Sequence, residues 1–444
     1  MTNPTTLEVL DRTLVLCQGA VFLPGTVSDL EIARTLLQTR VALVADARSL
    51  DSAACQSAIV ALVRMALGYG CQVRLVMPEV ERHGYQPPLR GEGLVAGLVD
   101  LGKDILPLAR VVQDRLTDKE DLVFVFGDTE WQGNGRQAWR VAAGDWWGAI
   151  SSVLAAAPAF EGDFPLGGLA AAAIAAAEPF KAAIREAGGT LRVPEEMEQV
   201  QTASFRLAPD GTPTSPVDLG QFDCISGGAI MNSALFALLR IPGATGDARI
   251  FEPESGDHSN LNRYPLMRTT TALLPKVRML SEWQYPGLTV HGEEVAVDKE
   301  TISGLRPLRQ QILVGVDRVP ARWLVQREWP TWLAVSGTDD FLVQSSEHTS
   351  GRPCAGCAYF DGMQLAGTPP PVATVSFVSF WAGLLLASRF VRRALGFGYG
   401  TSTQMAELTA LRLDSRVAAR WYEVPRRDDC PVGCQVARKC QARI

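Results

Sequence analysis

The sequence lacks an excess of basic residues. Its 444 residues include 42 lysines and arginines against 48 aspartates and glutamates, which gives a formal net charge of −6. Proteins that bind nucleic acid through its phosphates normally carry a positive surface. The charge balance therefore argues against nucleic acid as a partner. The hydrophobic content of 47% is ordinary for a soluble globular protein.

The sequence also lacks a secretion signal and a convincing membrane span. The first residues contain threonine and asparagine, without a basic segment followed by an apolar core. The longest apolar run, residues 371–388, includes hydroxyl side chains and is followed by Arg389, so we interpret it as a buried helix. We therefore expect a cytoplasmic protein that does not associate with membranes.

The nine cysteines are unevenly distributed along the chain. Without a secretion signal, paired cysteines in a long acidic chain indicate metal binding rather than disulfides. One pair is Cys354-Ala-Gly-Cys357 and the other is Cys430-Pro-Val-Gly-Cys434. Thiolates at such spacings can bind one tetrahedral Zn²⁺. Because the second pair is one residue wider than the first, Cys440 is an alternative fourth ligand.

Apolar runs alternate with helical patterns in both halves of the chain. In the first half, residues 41–45 and 72–77 are predicted as strands on either side of a helix at 52–67. In the second half, predicted strands at 222–226 and 311–316 are each followed by a helical stretch. This alternation predicts an α/β fold with mostly parallel sheets.

The length of the chain predicts two or three domains. A segment with several prolines and an Asp-Gly pair interrupts the α/β pattern and is predicted as a linker. We place an N-terminal α/β domain at residues 1–206, the linker at 207–221 and a second, Rossmann-like α/β domain at 222–444. Two α/β halves suggest a duplicated fold, although the sequence shows no clear repeat.

A degenerate glycine-rich turn follows the predicted strand at 222–226. Such a turn between a strand and a helix lets backbone N–H groups approach a phosphate. Where G-x-G-x-x-G is usual, the chain has Ser226-Gly227-Gly228, and only Gly228 fits. Glu252 ends the next predicted strand, where an acid can accept hydrogen bonds from ribose hydroxyls. The alternative for Glu252 taken alone is a solvated strand end.

Further polar residues follow at positions that suit phosphates and magnesium. Asn260 and Arg263 lie on a loop beyond Glu252, and Lys276 comes next. Arg263 can contact a phosphate through its planar fork and Lys276 as a compact charge. Asp317 ends a later predicted strand, where a carboxylate could hold Mg²⁺ against the phosphates. Taken singly, Arg263 and Lys276 could equally be solvated surface.

Together these residues resemble the ThiF/MoeB adenylating enzymes, including the activating enzymes of ubiquitin-like pathways. The resemblance rests on a glycine-rich turn, an acid, Asn-x-x-Arg, a lysine thirteen residues past that arginine, and an aspartate followed five residues later by Arg322. It covers residues 222–360, about a third of the chain. The chain departs from the family by its lost glycines and by Glu252 in place of the usual aspartate.

The resemblance implies ATP-dependent adenylation of the C-terminal carboxylate of a ubiquitin-like protein. It implies that the nucleotide is bound by Gly228, Glu252, Asn260, Arg263, Lys276 and Asp317. Of these, Arg263, Lys276 and Asp317 are expected to be catalytic, the last by holding Mg²⁺. The two cysteine pairs would hold a structural Zn²⁺. Family members that pass their product to a conjugating-type enzyme need one further cysteine, for which Cys440 is the candidate.

The resemblance also implies a dimeric arrangement. Simple family members are homodimers, and larger ones pair an active with an inactive copy. The first half is therefore expected to be an inactive adenylation-like copy, which would make the chain an internal pseudo-dimer. Arg12 could then reach across to the ATP.

Two other functions remain open from the sequence. An NAD(P)-dependent Rossmann oxidoreductase would use the same kind of sheet, but it would carry a better glycine fingerprint and gives Asn260, Arg263 and Lys276 no joint role. A non-catalytic scaffold that binds a ubiquitin-like protein fits the lost glycines. It does not explain the retained arginine, lysine and aspartate.

Overall fold

A computed structural model of the protein describes most of the chain. The described residues are 5–21, 27–106, 108–131, 133, 137–154, 159–190, 194–208, 213, 216–283, 287–360, 373–397, 404–413 and 419–434. Over these ranges the strands form two mostly parallel sheets, each packed against helices. The protein therefore has the predicted α/β architecture.

The first sheet is built from the residues before the predicted linker. Its half comprises α1 (Thr6–Ala20), α2 (Asp29–Gln38), β1 (Arg40–Val44), α3 (Ala47–Leu50), α4 (Ala53–Gly68), β2 (Gln72–Val76), α5 (Leu94–Ile105), β3 (Val111–Gln113), β4 (Leu122–Phe126), β5 (Gln137–Ala143), β6 (Trp147–Ser152), α6 (Pro165–Glu186) and β7 (Ala203–Arg206). The strand order over these residues is β3-β2-β1-β4-β5-β6-β7. The pairs from β3 to β5 are parallel, and those from β5 to β7 are antiparallel.

The second sheet begins at Asp218, so the last four residues of the predicted linker at 207–221 belong to a strand. Its half comprises β8 (Asp218–Ile225), α7 (Ala229–Leu238), β9 (Thr245–Phe251), α8 (Lys276–Ser281), β10 (Leu288–Glu293), β11 (Gln311–Val314), α9 (Val319–Gln326), β12 (Trp332–Asp339), β13 (Leu342–Thr349), α10 (Ala355–Ala358), α11 (Ser376–Ala394), β14 (Met405–Thr409) and β15 (Ala419–Tyr422). The order over these residues is β10-β9-β8-β11-β12-β13-β14-β15, parallel up to β12 and antiparallel beyond it.

The two sheets share one strand order. In the first sheet β1 has β2 and β3 on one side and β4 to β7 on the other, and β8 to β14 repeat this order in the second sheet. In both halves a long helix connects the sixth strand to the seventh, α6 in the first and α11 in the second. Over the described residues the same fold therefore occurs twice, with β15 as an addition to the second copy.

The residue types explain why the central helices and strands form where they do. β4 reads Leu-Val-Phe-Val-Phe and is buried at every position, as expected for a parallel strand covered on both faces. α4 begins after Ser52, whose hydroxyl accepts a hydrogen bond from the N–H of Cys55 at 3.2 Å. α6 is rich in alanine, and a Cβ on its Gly167 would lie 1.8 Å from the carbonyl oxygen of Gly144. Small residues therefore let this helix approach its neighbours closely.

The helix α6 lies at the centre of the molecule. By length and composition it is the one described helix that could cross a membrane, but 94% of its most apolar window is buried inside the protein. It packs against α4 in its own half and against α11 in the other. The run predicted at 371–388 as a buried helix corresponds to α11, which is also enclosed. Both helices are therefore core elements.

One loop of the second half, residues 258–264, packs against α4 of the first half. Arg64 on α4 is fully buried and donates to the carbonyl oxygens of Leu261 and Tyr264, both at 2.7 Å. Burial of a guanidinium costs less free energy when its N–H groups find acceptors, so these two bonds, both from Nη2, hold the loop against α4. The predicted site residues Asn260 and Arg263 lie on this loop, so their position depends on the first half.

Gly68, the last residue of α4, lies against the same loop. A Cβ at this position would be 2.2 Å from the carbonyl oxygen of Asn262. Gly68→Ala is therefore expected to lower the free energy of unfolding by about 1–3 kcal/mol, because the helix or the loop must shift. Gly19→Ala is the matched control, since nothing lies within 4 Å of its Cβ, and it should leave stability unchanged or raise it by up to about 1 kcal/mol. Denaturant unfolding checks both values, and equal stabilities would contradict the close contact.

Candidate functional site

The second sheet brings the ends of three strands to one edge. β8 lies between β9 and β11, and all three are parallel. Gly315, just after β11, donates its N–H to the carbonyl oxygen of Ile225 at the end of β8, at 3.1 Å. Ligands of open α/β sheets bind outside the carboxyl ends of the strands. The turn after β8, Glu252 after β9 and Asp317 after β11 all come after strands that end at this edge of the sheet.

The turn after β8 has a glycine-like backbone although its first residue is serine. Ser226 has a φ of 95°, in the left-handed region that favours glycine. Such a conformation costs a non-glycine residue about 1–3 kcal/mol. Gly228 is the N-terminal cap of α7 and donates its N–H to the Ser226 hydroxyl at 2.9 Å. The turn therefore keeps the conformation for which glycine is usual, despite the substitution.

Glu252 points into this turn. Its side chain is 7% exposed. Its carboxylate accepts hydrogen bonds from the N–H of Gly227 at 2.7 Å, the hydroxyl of Ser226 at 3.3 Å and the N–H of Glu254 at 3.0 Å. The alternative interpretation of Glu252 as a solvated strand end is therefore wrong. The Gly227 N–H is the kind of donor that a glycine-rich turn offers to a phosphate, and Glu252 occupies it.

Lys276 is a second buried charge at this edge. It begins α8, its side chain is 7% exposed, and its ammonium group contacts the carboxylate of Glu254 and lies 3.9 Å from that of Glu252. Burial alone would lower the pKa of Lys276, but Tyr264 and the two carboxylates outweigh it and raise the pKa above its ordinary value. Lys276 is therefore a protonated cation held beside Glu252, and it is not solvated surface.

Asn260 and Arg263 lie on the loop after β9, around a 3₁₀ turn at His258–Asn260. Asn260 is buried, and its side-chain oxygen accepts from the N–H of Asp257 at 3.1 Å. Arg263 is half-buried and donates to the backbone of its own loop. Burial lowers the pKa of Arg263 below its ordinary value, and the positive charge of Arg12 lowers it further. Two arginine side chains therefore lie near one another at this loop.

A polar cavity of about 450 Å³ opens between this loop, α8 and α1 of the first half. Asn260 and Lys276 line it, and Arg12 does so from α1. The Nε atom of Arg12 is buried, has no hydrogen-bond partner within the described ranges, and lies 3.6 Å from the carboxylate of Asp11. The structure therefore brings a residue of the first half to the loop of the second.

The cavity also contains four acidic residues that the sequence analysis did not include, namely Glu8, Asp11, Glu254 and Asp257. Glu254 and Asp257 lie two and five residues after Glu252, so their closeness to a predicted site residue was a usable signal. Glu8 and Asp11 lie on α1, far from the predicted site residues in the sequence, so nothing in the sequence marks them as part of the site. Cations suit the phosphates of a ligand, and carboxylates suit an accompanying divalent cation.

Asp317 does not line this cavity. It is exposed on the loop between β11 and α9. Arg322, five residues later, is buried and donates twice to the carbonyl oxygen of Val316, at 3.1 and 2.9 Å. Its guanidinium also lies over the ring of Tyr359, 4.6 Å from the centroid. Arg322 therefore fixes the backbone beside Asp317 and does not reach into the cavity.

The corresponding edge of the first sheet is built differently. After β1 the chain forms the helical turn α3, capped by Asp46, where the second sheet has its glycine-rich turn. Asp128 follows β4 as Asp317 follows β11, and its carboxylate is paired with Arg48 at 3.2 Å. Within the described residues, the first sheet therefore has no open turn comparable to the one after β8.

Four cysteines converge on one point beside α10. The Sγ atoms of Cys354, Cys357, Cys430 and Cys434 all lie within 4.8 Å of one another. The separations are 3.3 Å between Cys354 and Cys430, 3.6 Å between Cys357 and Cys434 and 3.9 Å within the first pair. Cys440 lies outside the described residues. The cluster therefore contains the four cysteines of the two predicted pairs, and the wider spacing of the second pair does not prevent it.

Comparisons with known sequences give two partial matches. A profile of the BilD N-terminal domain matches residues 40–192, which lie within the first half. The uncharacterized protein y4jF of Sinorhizobium fredii (strain NBRC 101917 / NGR234) is 28% identical over 147 residues, which is 32% of this chain and 28% of that protein. The chain thus matches less than a third of the length of this relative.

Comparisons with solved structures give distant similarities. MccB of E. coli with succinimide is 13% identical, with a TM-score of 0.40 over 48% of this chain and 66% of MccB. MccB of E. coli with ATP is also 13% identical, with a TM-score of 0.40 over 48% of this chain and 65% of MccB. PaaA is 12% identical, with a TM-score of 0.37 over 46% of this chain and 73% of PaaA. The chain spans just under two thirds of MccB.

Proposed function

We propose that this protein uses ATP to adenylate the C-terminal carboxylate of a ubiquitin-like protein. The proposal is carried by the cavity at the edge of the second sheet, where Arg12, Asn260 and Lys276 meet beside the buried Glu252. Cations attract phosphates, a divalent cation could offset the four carboxylates of the cavity, and a strand-end acid accepts from ribose hydroxyls. Glu252, Asn260 and Lys276 are also among the residues that carry the resemblance to the ThiF/MoeB adenylating enzymes.

In the proposed reaction, a carboxylate oxygen of the substrate attacks the α-phosphorus of ATP. The bond from that phosphorus to the bridging oxygen breaks, and pyrophosphate leaves with the electron pair. No proton has to move, so the contribution of the protein is positioning and neutralisation of charge. Arg12 and Lys276, which line the cavity, would stabilise the phosphates. Arg263 and Asp317 do not line it, so their proposed roles, phosphate contact and Mg²⁺ binding, rest on the resemblance alone.

We also propose that the first half is an inactive copy of the adenylation domain. The shared strand order, the helical turn α3 in place of a glycine-rich turn and the position of Arg12 support this. The active copy would be the half from residue 222 onward, and the chain would act as an internal pseudo-dimer. Arg12 would then take part in the active site of the other copy, which explains why an inactive half is retained.

We propose Zn²⁺ as the metal of the cysteine cluster. Four thiolates at about 2.3 Å from one zinc ion lie about 3.8 Å from each other in a tetrahedron. The sulfur separations of 3.3, 3.6 and 3.9 Å fit this geometry. Four protein ligands leave no open position, so the role of this ion would be structural. It would hold the segment around Cys430 against the segment around Cys354.

The later steps of the proposal rest on the resemblance alone. A thioester on Cys440 would carry the activated ubiquitin-like protein to a conjugating-type enzyme, and the cytoplasm is the proposed location. Cys440 lies outside the described residues, so the structural argument for this protein ends at the adenylate.

A non-catalytic scaffold is the second candidate. It is favoured by the bond between the Gly227 N–H and Glu252, which occupies a donor of the turn, and by the position of Asp317 outside the cavity. The same occupied donor argues against an NAD(P)-dependent oxidoreductase, because a dinucleotide needs it for its pyrophosphate. The scaffold should bind a ubiquitin-like protein without consuming ATP.

ATP–pyrophosphate exchange distinguishes these functions. The protein is incubated with ATP, Mg²⁺, labelled pyrophosphate and candidate ubiquitin-like proteins. An adenylating enzyme transfers the label into ATP only when the correct carboxylate is present. Binding of a ubiquitin-like protein without exchange would support the scaffold. Enhanced NADH fluorescence without exchange would support the oxidoreductase.

Arg12→Ala is expected to lower this exchange by about ten- to hundredfold, the range for loss of charge-assisted hydrogen bonds. The reason is that Arg12 lines the cavity from the first half. Arg34→Ala is the matched control, because Arg34 lies on the neighbouring helix α2 and is exposed. Exchange assays on both purified variants check the prediction. An Arg12 variant as active as the Arg34 variant would contradict the role of the first half.

A further inference from the structure

A groove of about 780 Å³ lies between the strand β3 and the helix α5 of the first half. Its floor is apolar and includes Val95 and Val111, both of which are buried. Gly102 lets the helix lie close to the strand, since a Cβ at this position would be 2.5 Å from Cγ2 of Val111. The volume is in the range of ligand-binding sites. The groove shares no residue with the cavity proposed for the nucleotide, so it would bind a different ligand.

The strand β3 leaves main-chain groups free along this groove. Over the described residues it is the last strand of the first sheet and pairs with β2 alone. On the side of β2, the carbonyl oxygen of Arg110 accepts a hydrogen bond at 2.8 Å, and the N–H of Asp114 donates one at 3.2 Å. Main-chain groups point to alternate sides along a strand, so those of Val111 and Gln113 point away from β2. Such an edge can pair with an extended peptide.

The charged side chains of the groove favour an acidic ligand. Lys103 on α5 and Arg110 before β3 line it and are exposed. In the part of the chain that the structure describes, neither forms an ion pair. The carboxylate of Glu79, which also lines the groove, is occupied by the N–H groups of Val95 and Ala96, both at 2.8 Å. The groove therefore offers two free cations in a chain whose net charge is −6, and these complement carboxylates.

The helix that forms one wall of the groove is anchored to the second half. Arg268 is buried, and its guanidinium pairs with Asp104 and, at 2.7 Å, with Asp100. Both aspartates lie on α5, and neither lines the groove. Because these pairs hold α5 in place, the groove is formed before a ligand binds. A preformed site loses less conformational entropy when it binds its ligand.

We propose that this groove binds an extended, acidic segment of a partner protein as an additional strand beside β3. The main chain of the segment would bond to that of Val111 and Gln113. Its carboxylates would pair with Lys103 and Arg110. A second copy of this chain is a poorer occupant, because a two-fold contact between β3 edges would bring the cations of both copies together. The proposal does not depend on the adenylation of a substrate.

The main-chain contact is tested by fluorescence anisotropy with the full chain and a fluorescein-labelled peptide of alternating valine and glutamate. Gln113→Pro removes an N–H that points into the groove, so binding is expected to weaken about three- to tenfold. Gln113→Ala is the matched control and should bind within about twofold of the unmodified protein. Both variants lose the bond from the Gln113 amide to the carbonyl oxygen of Met77, and unfolding curves check their folds. Equal affinities of the two variants, or no saturable binding to the unmodified protein, would overturn the inference.

The charge preference is tested with a second variant and a second peptide. Lys103→Glu is expected to weaken binding of the valine–glutamate peptide by about two- to fivefold. Lys119→Glu is the control, since Lys119 is exposed in the same half but does not line the groove, and its affinity should not change. A valine–lysine peptide that bound the unmodified protein as tightly as the acidic one would contradict the proposal. Dimerisation of the unmodified protein in sedimentation, lost in Gln113→Pro, would make a second copy the occupant and would also overturn it.

Discussion

Lys276→Met is expected to lower ATP–pyrophosphate exchange by about two to three orders of magnitude, the range seen when one preorganised charge is removed from a transition state. Lys276 is buried, lines the cavity and is held between Glu252 and Glu254. Its raised pKa keeps it charged at neutral pH. Methionine has a similar length but no charge, so the phosphates would lose this partner.

The control for this variant is Arg278→Met. Arg278 lies two residues further along α8, is 71% exposed and pairs with Glu294 at the surface. This variant loses a cation from the same helix but not from the cavity, so its exchange rate should stay within about twofold of the unmodified protein. Unfolding curves for both variants separate loss of function from loss of fold. Full activity of a folded Lys276→Met protein would show that Lys276 is not part of the active site.

Cys357→Ala is expected to abolish metal binding by the cluster and to lower the free energy of unfolding strongly. A metal that binds only the folded chain stabilises it by about 4 kcal/mol when its free concentration is a thousand times the dissociation constant. Cys357 is buried, and its Sγ lies 3.6 Å from that of Cys434. Removing one ligand of four leaves the remaining thiolates without their ion. Elemental analysis and thermal unfolding measure the two effects.

Cys17→Ala is the matched control for the cluster. Cys17 is fully buried on α1, and burial raises the pKa of its thiol to about 12. It is not one of the clustered cysteines, so the variant should keep its metal and lose only about 1 kcal/mol of stability. A chelator should destabilise the control protein but not Cys357→Ala. If the chelator had no effect on either, the cluster would not hold a metal.

The helices and strands could be predicted from the sequence because their apolar patterns are local. The helix predicted at 52–67 is α4, and the strand predicted at 72–77 is β2. Alternation of strands and helices also predicts parallel sheets. The shared strand order could not be seen as a repeat, because a sheet requires only an apolar pattern and different residues can supply it.

The candidate site could be predicted only in part. Lys276 and Asn260 were selected by their spacing from Arg263, and both line the cavity. The approach of Arg12 depends on how α1 packs against a loop far away in the chain, which spacing does not encode. The exposed position of Asp317 depends on the length and packing of the loop before α9. Such features follow from tertiary packing and not from local pattern.

The central claim is that one nucleotide binds across the cavity between the two halves. A crystal structure of the protein with a non-hydrolysable ATP analogue and Mg²⁺ tests it most directly. We expect the phosphates to contact Arg12 and Lys276, with the ribose hydroxyls on Glu252. An analogue bound at another surface, or a cavity free of nucleotide at saturating concentration, would contradict the account.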